Sequence, residues 1–206
     1  MQELFFLERL DPHQIVATLA ASGAISLRLL REGFRRALLH EAEGFAYAPE
    51  PEIVGSGERV VRQQMGTCDA FAEGSLYLLL KDAFQTLCDE AFVHVVPYPF
   101  ASRLRFTDIA LQKYDRGSLG ITPHRDGLRY CNLICVFMIG GQGRFAVCAD
   151  RSGRDTRPLD ASPGNVILLR APGFLGSPER PFHSVTDIEE TRYTCGLRQQ
   201  CLRGQR

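Results

Sequence analysis

The sequence contains no tryptophan, and only two of its 24 basic residues are lysines. It also has no apolar run near the roughly 20 residues that a membrane-spanning helix needs. The short apolar start is interrupted by Glu8 and Arg9, which excludes the hydrophobic region of a signal peptide. We therefore expect a soluble, cytoplasmic protein. Its seven cysteines show no C-x-x-C spacing and lie mostly in apolar stretches, which fits a reducing compartment.

The charges sum to zero over 206 residues but are unevenly distributed. Residues 1–100 carry 8 basic and 14 acidic side chains, a net charge of −6, whereas residues 101–206 carry 16 and 10, a net charge of +6. A basic second half suits a small anionic ligand. The absence of tryptophan and of an aromatic-rich base-stacking segment makes nucleic acid a less favoured partner.

Hydrophobic periodicity divides the chain into a helical first half and a strand-rich second half. Apolar residues at intervals of three and four predict two helices between His13 and Glu43, broken near Ser22-Gly23, and another helix from Gly74 to Phe92. After the "VVPYPF" turn, the pattern changes to eight short strands separated by turn signals.

This layout predicts a single α+β domain over residues 1–206. Residues 1–100 are expected to give mainly helical support, and residues 101–206 a sandwich or jelly-roll core. Two turns stand out within that core. The "GGQG" sequence of Gly140–Gly143 predicts a tight hairpin between two apolar strands, and "SPGN" at 162–165 turns into the strand "VILLR".

A histidine and an aspartate stand two residues apart in the stretch "ITPHRDGLRY". On a regular strand such residues point to the same face, so His124 and Asp126 could reach one metal ion together. His183, in the predicted strand "PFHSV", is the candidate for a third ligand. Two imidazoles and one carboxylate on one face leave three positions open, as in non-haem Fe(II) oxygenases.

Further residues give this set a family resemblance. The pattern Y-x9-H-x-D followed by H-x-V-x5-T-R-Y, over roughly residues 104–200, resembles the Fe(II)/2-oxoglutarate-dependent dioxygenase superfamily, with a spacing close to that of prolyl hydroxylases. The segment "RYTCGLR" also resembles the R-x5-R signature of AlkB-type nucleic-acid dealkylases.

The resemblance implies a double-stranded β-helix, or jelly roll, with N-terminal supporting helices. It implies that His124, Asp126 and His183 bind Fe(II), and that O2 and 2-oxoglutarate are cosubstrates. It assigns the distal carboxylate of 2-oxoglutarate to Arg192, with help from Tyr114.

The AlkB-type resemblance adds Arg198 as a brace for Asp126 or for the keto-acid end of the cosubstrate. AlkB-type proteins have an asparagine two residues after the first arginine. This chain has Thr194 there, and we include Thr194 among the predicted cosubstrate-binding residues.

Three functions are compatible with these residues. The favoured one is hydroxylation of a small molecule or a protein side chain, with release of succinate and CO2. The second is an AlkB-like oxidative demethylase of nucleic acid, which would bind its substrate with a steep salt dependence. The third is a non-enzymatic metal-binding protein of the cupin or sensor type, which would produce no succinate. The sequence identifies neither the substrate nor the oligomeric state.

Overall fold

The computed structural model describes residues 1–201 and contains, within them, two antiparallel sheets and three α-helices. The helices are α1 (Pro12–Ser22), α2 (Glu32–Glu43) and α3 (Leu76–Phe92). The strands before α3 are β1 (Ala24–Arg28), β2 (Ala48–Pro49), β3 (Ile53–Val54), β4 (Val61–Gln64) and β5 (Gly66–Cys68). The strands after it are β6 (Asp108–Tyr114), β7 (Gly120–His124), β8 (Tyr130–Gly140), β9 (Arg144–Cys148), β10 (Arg157–Leu159), β11 (Asn165–Arg170), β12 (Phe182–Thr186) and β13 (Arg192–Gln200).

The two sheets lie face to face. The larger sheet has the order β1-β11-β8-β13-β6-β5-β2, and the smaller has the order β10-β9-β12-β7-β4-β3. Apolar residues of both sheets, among them Ile121, Ile134 and Phe145, form one buried cluster between them. The protein is thus a sandwich of two sheets. The helices cover the face of the larger sheet that points away from the smaller sheet.

Strand β8 shows how the larger sheet is buried on both faces. Its residues Leu133, Cys135 and Phe137 belong to the core beneath the helices, whereas Ile134 and Met138 belong to the cluster between the sheets. Successive side chains alternate between faces, so a strand covered on both faces reads as a continuous apolar run. Burial on both faces therefore explains the apolar run "CNLICVFMI" of β8.

Helix α1 begins and ends where the sequence predicts. The Asp11 side chain accepts hydrogen bonds from the backbone N–H groups of His13 and Gln14, and Gly23 ends the helix at φ 77°. The prediction of a second helix directly after this break is wrong, because residues 24–28 form β1 and pair with β11. The next helix begins only at Glu32.

All eight strands predicted in the second half are present, but the predicted hairpin at Gly140–Gly143 is wrong. Strand β8 pairs with β11 and β13, while β9 pairs with β10 and β12. The glycine-rich segment therefore carries the chain from one sheet to the other. A glycine-rich link between apolar strands has the same sequence pattern whether it forms a hairpin within one sheet or crosses to the other sheet.

The first hundred residues contribute strands as well as the predicted helices. Strands β1, β5 and β2 extend the larger sheet, and β4 and β3 extend the smaller one. These strands have two to five residues, too few for an alternating pattern to be recognised. None of the described helices is long and apolar enough to cross a bilayer.

Gly141 is the position in the inter-sheet link that least tolerates a side chain. It has φ 76°, and a Cβ placed there would lie 2.0 Å from the carbonyl oxygen of Thr191. We predict that Gly141→Ala lowers the free energy of unfolding by about 3 kcal/mol or more, since strain and a backbone clash add together. Chemical denaturation measures this change.

Gly33 in α2 provides the matched control for Gly141. A Cβ at Gly33 meets nothing within 4 Å, so Gly33→Ala should raise the free energy of unfolding by about 0.5 kcal/mol. Equal effects of the two substitutions would contradict the description of the link.

Candidate functional site

The two predicted histidine ligands lie side by side on neighbouring strands of the smaller sheet. His124 is the last residue of β7 and pairs across the sheet with His183 of β12. Their ring centroids are 4.3 Å apart, and the ring of Phe145 stacks on His183 at 5.5 Å. Strand pairing thus brings together two histidines that are far apart in the sequence.

Asp126 lies next to His183, but the strand does not place it there. Strand β7 ends at His124, so the prediction that strand alternation orients Asp126 is wrong. Its Oδ2 lies 3.4 Å from Nε2 of His183, and its Oδ1 lies 3.6 Å from Nε of Arg198. Arg180 donates a hydrogen bond to its backbone carbonyl. Tertiary contacts therefore hold this loop residue in place.

Both histidines have one ring nitrogen against a backbone carbonyl. Nδ1 of His124 lies 2.9 Å from the oxygen of Thr122, and Nδ1 of His183 lies 3.4 Å from that of Pro181. Because a carbonyl only accepts, Nδ1 carries the proton in each ring and the lone pair is on Nε2. This is the tautomer of a histidine that binds a metal through Nε2.

The protonation states also suit metal binding. Burial and the neighbouring His183 lower the pKa of His124 to about 4. Burial also lowers the pKa of His183, against the opposing effect of Asp126. Burial alone would raise the pKa of Asp126, but His183 and Arg198 outweigh it and lower that pKa. Near pH 7 the site holds two neutral imidazoles and a carboxylate, the forms in which these groups bind metals.

The side chains of His124, Asp126 and His183 do not have the arrangement of a complete metal site. Within residues 1–201, no group of three or more His, Cys, Asp or Glu side chains has the arrangement of a metal site. Their role as ligands therefore stays a prediction.

Arg192 approaches the same cavity from the opposite sheet. Although Arg192 follows His183 by only nine residues, its strand β13 belongs to the larger sheet, whereas β12 belongs to the smaller. Its cross-strand partner is Tyr114, and the two side chains are 1% and 2% exposed. The cavity therefore separates the histidines from this arginine.

The guanidinium of Arg192 is buried without an opposite charge. It donates to the carbonyl of Gly143 and contacts Sδ of Met138 at 2.9 Å, and its Nε has no partner. Arg192 takes part in none of the ion pairs found within residues 1–201. Burial lowers its pKa to about 10, so it remains charged at pH 7. A buried, uncompensated cation costs free energy, and a bound anion would reduce that cost.

Tyr114 and Thr194 line the cavity beside Arg192. Burial raises the pKa of Tyr114 to about 12, which keeps its hydroxyl protonated and able to donate a hydrogen bond. Oγ1 of Thr194 donates to Oε1 of Gln112 at 3.2 Å. Gln112 was not predicted, although it precedes Tyr114 by two residues on β6 and therefore shares its face.

Arg198 lies between two carboxylates. Its Nη1 is 3.2 Å from Oδ2 of Asp108, its cross-strand partner, and its Nε faces Asp126. Sequence analysis identified neither Asp108 nor Arg180 as part of the site. No local motif marks these two residues, because each reaches Asp126 or Arg198 only through the fold.

All of the predicted site residues line one cavity between the sheets. Its walls are Gln112, Tyr114, Ile121, His124, Asp126, Val136, Phe145, His183, Val185, Arg192, Thr194 and Arg198. The cavity volume is about 30 Å³, room for about two water molecules. A ligand larger than this could enter only if these side chains moved apart.

A larger hollow of about 430 Å³ lies elsewhere, bordered by Leu128, Cys131 and Pro172. Its wall contains no His, Asp, Glu or Arg, so it lacks the groups that this chemistry needs. The smaller cavity is therefore the candidate site.

Comparison with known proteins identifies the fold. No protein-family model matches the chain, and no curated protein matches it. Solved structures do. A Trichoplax adhaerens prolyl hydroxylase, in complex with a hypoxia inducible factor oxygen degradation domain peptide fragment, superimposes with a TM-score of 0.65 at 12% identity, covering 91% of this chain and 88% of that one.

Two further structures agree with this match. A 2OG-Fe(II) oxygenase family oxidoreductase from Burkholderia pseudomallei has a TM-score of 0.56 at 15% identity, covering 90% of this chain and 89% of that one. OsALKBH1 has a TM-score of 0.56 at 13% identity, covering 86% and 98%. The chain therefore has the fold of the 2OG-Fe(II) oxygenase superfamily.

The lowered histidine pKa values predict how stability depends on pH. The folded protein keeps His124 neutral down to about pH 4, whereas in the unfolded chain it protonates near 6.5. The metal-free protein should therefore lose about 2.5 kcal/mol of unfolding free energy as the pH falls from about 6.5 to 4. Urea denaturation across this range measures the loss.

His13 provides the control for this pH effect, because it is an exposed residue at the start of α1. His13→Gln should keep the wild-type pH dependence, and His124→Gln should reduce it to the part that His183 contributes. The same slope in all three proteins would show that His124 does not protonate on unfolding.

Proposed function

We propose that this protein is an Fe(II)- and 2-oxoglutarate-dependent dioxygenase that hydroxylates a small molecule or a protein side chain, with release of succinate and CO2. The observation that carries the proposal is the cavity itself. One wall presents His124, Asp126 and His183, and the other presents the buried, unpaired Arg192. We infer that the two facing sheets are the double-stranded β-helix of this superfamily.

In this proposal His124, Asp126 and His183 bind the iron. Their chemistry supports it, since both imidazoles are neutral with the lone pair on Nε2 and the carboxylate is ionised. Iron with O2 and 2-oxoglutarate supplies the oxidant that attacks a C–H bond. Arg198 and Arg180 position Asp126 by their contacts to its side chain and its backbone carbonyl.

Arg192 is proposed to bind the distal carboxylate of 2-oxoglutarate. The guanidinium offers an unpartnered Nε and a full charge in a nearly dry cavity. An ion pair with a carboxylate is strongest in such surroundings. Tyr114 would donate its hydroxyl to the same acid, and Thr194 lies on the same strand face as Arg192. The apolar wall of Ile121, Val136, Phe145 and Val185 excludes water from the reacting groups.

A hydroxylase is the favoured reaction for two reasons. The chain has no net charge, which gives no general attraction to nucleic acid. The structural neighbour with the TM-score of 0.65 is a prolyl hydroxylase solved with a peptide.

The AlkB-like alternative has one specific observation in its favour, the 3.6 Å approach of Arg198 to Asp126. The AlkB-type resemblance implies such a brace. A demethylase would bind nucleic acid with an affinity that falls steeply with salt, and a substrate screen with succinate detection separates the two reactions.

The first test of the proposal removes a metal ligand. We predict that Asp126→Asn weakens Fe(II) binding at least about tenfold, because the neutral amide is a much poorer ligand for a hard cation. Anaerobic Fe(II) titration by calorimetry measures this effect. Asp150→Asn removes an exposed carboxylate of a surface turn and should leave the Fe(II) affinity unchanged. Unchanged binding in both variants would exclude Asp126 as a ligand.

The second test removes the buried guanidinium. Arg192→Met should weaken 2-oxoglutarate binding about 100-fold or more while Fe(II) still binds, because the distal carboxylate loses its counter-charge. The visible charge-transfer band of the anaerobic iron complex reports both events.

The stability of Arg192→Met provides an independent check. The substitution removes a buried charge that lacks a partner, so the unfolding free energy of the ligand-free protein should not fall. Arg144→Met, at an exposed neighbouring arginine, is the matched control and should bind 2-oxoglutarate normally. Normal binding by Arg192→Met would remove Arg192 from the site.

A further inference from the structure

Two arginines lie beside one aromatic ring next to the candidate site. The guanidinium carbon of Arg125 is 4.0 Å from the ring centre of Phe182, and that of Arg151 is 5.6 Å from the same centre. Arg125 directly precedes Asp126 in the chain, and Phe182 directly precedes His183. The pair is therefore anchored to the segments that carry the proposed metal ligands.

A third arginine completes the group. Arg180 donates to the backbone carbonyl of Asp126, and together with Arg125 and Phe182 it lines a cleft of about 480 Å³. We call Arg125, Arg151 and Arg180 the mouth arginines. They come from three separate segments of the chain, so only the fold brings them together.

The mouth arginines have no opposite charge of their own. None of them takes part in the ion pairs formed within residues 1–201. The same cleft contains Glu179, but that carboxylate is already paired with Arg170. Like charges held close together repel each other. A bound anion would attract each of them and so offset this repulsion.

We propose that the mouth arginines bind the phosphate group of a phosphomonoester substrate. A single bidentate guanidinium already matches a carboxylate, whereas a phosphomonoester near pH 7 carries close to two charges and three terminal oxygens. Three guanidiniums on separate segments therefore suit a phosphomonoester better than a carboxylate. The substrate role rests on the proposed function, while the anion site itself does not.

The compact arrangement distinguishes this anion from a polymer. Nucleic-acid binding uses a basic stripe that follows several phosphates, often with bases stacked on exposed aromatic rings. Here the charges surround one partly buried phenylalanine that two guanidiniums already cover. The site thus fits one terminal phosphate group beside the segments that carry Asp126 and His183.

The test is calorimetric binding of phenyl phosphate to the metal-free, full-length protein. Wild type should bind it, and Arg125→Gln and Arg151→Gln should each weaken binding about tenfold, the value of one charge-assisted hydrogen bond. Affinity should rise as the pH passes upward through about 6, where the ligand takes its second charge. Arg154→Gln is the matched control, because Arg154 is an exposed arginine that already contacts Asp150.

Three results would overturn the site. They are no binding of phenyl phosphate by wild type, equal binding of benzoate, and wild-type affinity in both mouth variants. Tighter binding of oligothymidine without terminal phosphates, or of oligoglutamate, would replace it with a polymer site. Since no metal is present, failure of the anion site leaves the iron and 2-oxoglutarate titrations unaffected, and failure of those titrations leaves the anion site standing.

Discussion

The guanidinium of Arg192, almost fully buried and without a carboxylate among the described residues, is the constraint on which the site depends. Burying a charge without a partner costs several kcal/mol, and a core must offset that cost. The larger sheet supplies such a core because it is covered on both faces, by the helices on one side and by the smaller sheet on the other. The cavity can therefore keep a buried charge that has no partner among the described residues.

The two walls of the cavity are held by different means. The histidines sit on paired strands, where the ladder of backbone hydrogen bonds fixes them, and their Nδ1 atoms are fixed by carbonyls two residues earlier. Asp126 lies just beyond the strand and depends on Arg180 and Arg198. Arginines thus do three separate jobs here. Arg192 lies opposite the histidines, Arg180 and Arg198 hold the carboxylate loop, and Arg125 and Arg151 lie beside Phe182.

Sequence reasoning recovered most elements and misjudged their connections. The eight strands of the second half and the ends of α1 and α3 follow from local patterns, namely periodicity, an N-cap and a left-handed glycine. Strand β1 was mistaken for helix, since five residues carry little periodic information and pairing with β11 decides their state. The link at Gly140–Gly143 was mistaken for a hairpin, because glycine reports that the chain turns and not which strand it joins next.

By itself, the sequence determined which residues are the candidates for the chemistry. The H-x-D spacing, His183 and the two arginines of "RYTCGLR" are readable because together they match a known pattern of residue types and spacings. Only the tertiary structure decided that Arg192 faces the histidines from the opposite sheet, that Asp108 and Arg180 support the site, and that the mouth arginines share one ring. The physical reason is the sequence separation of the contacting residues. Local patterns reflect backbone preference and burial, whereas these contacts join distant segments, and no single segment encodes the order of the strands in the sheets.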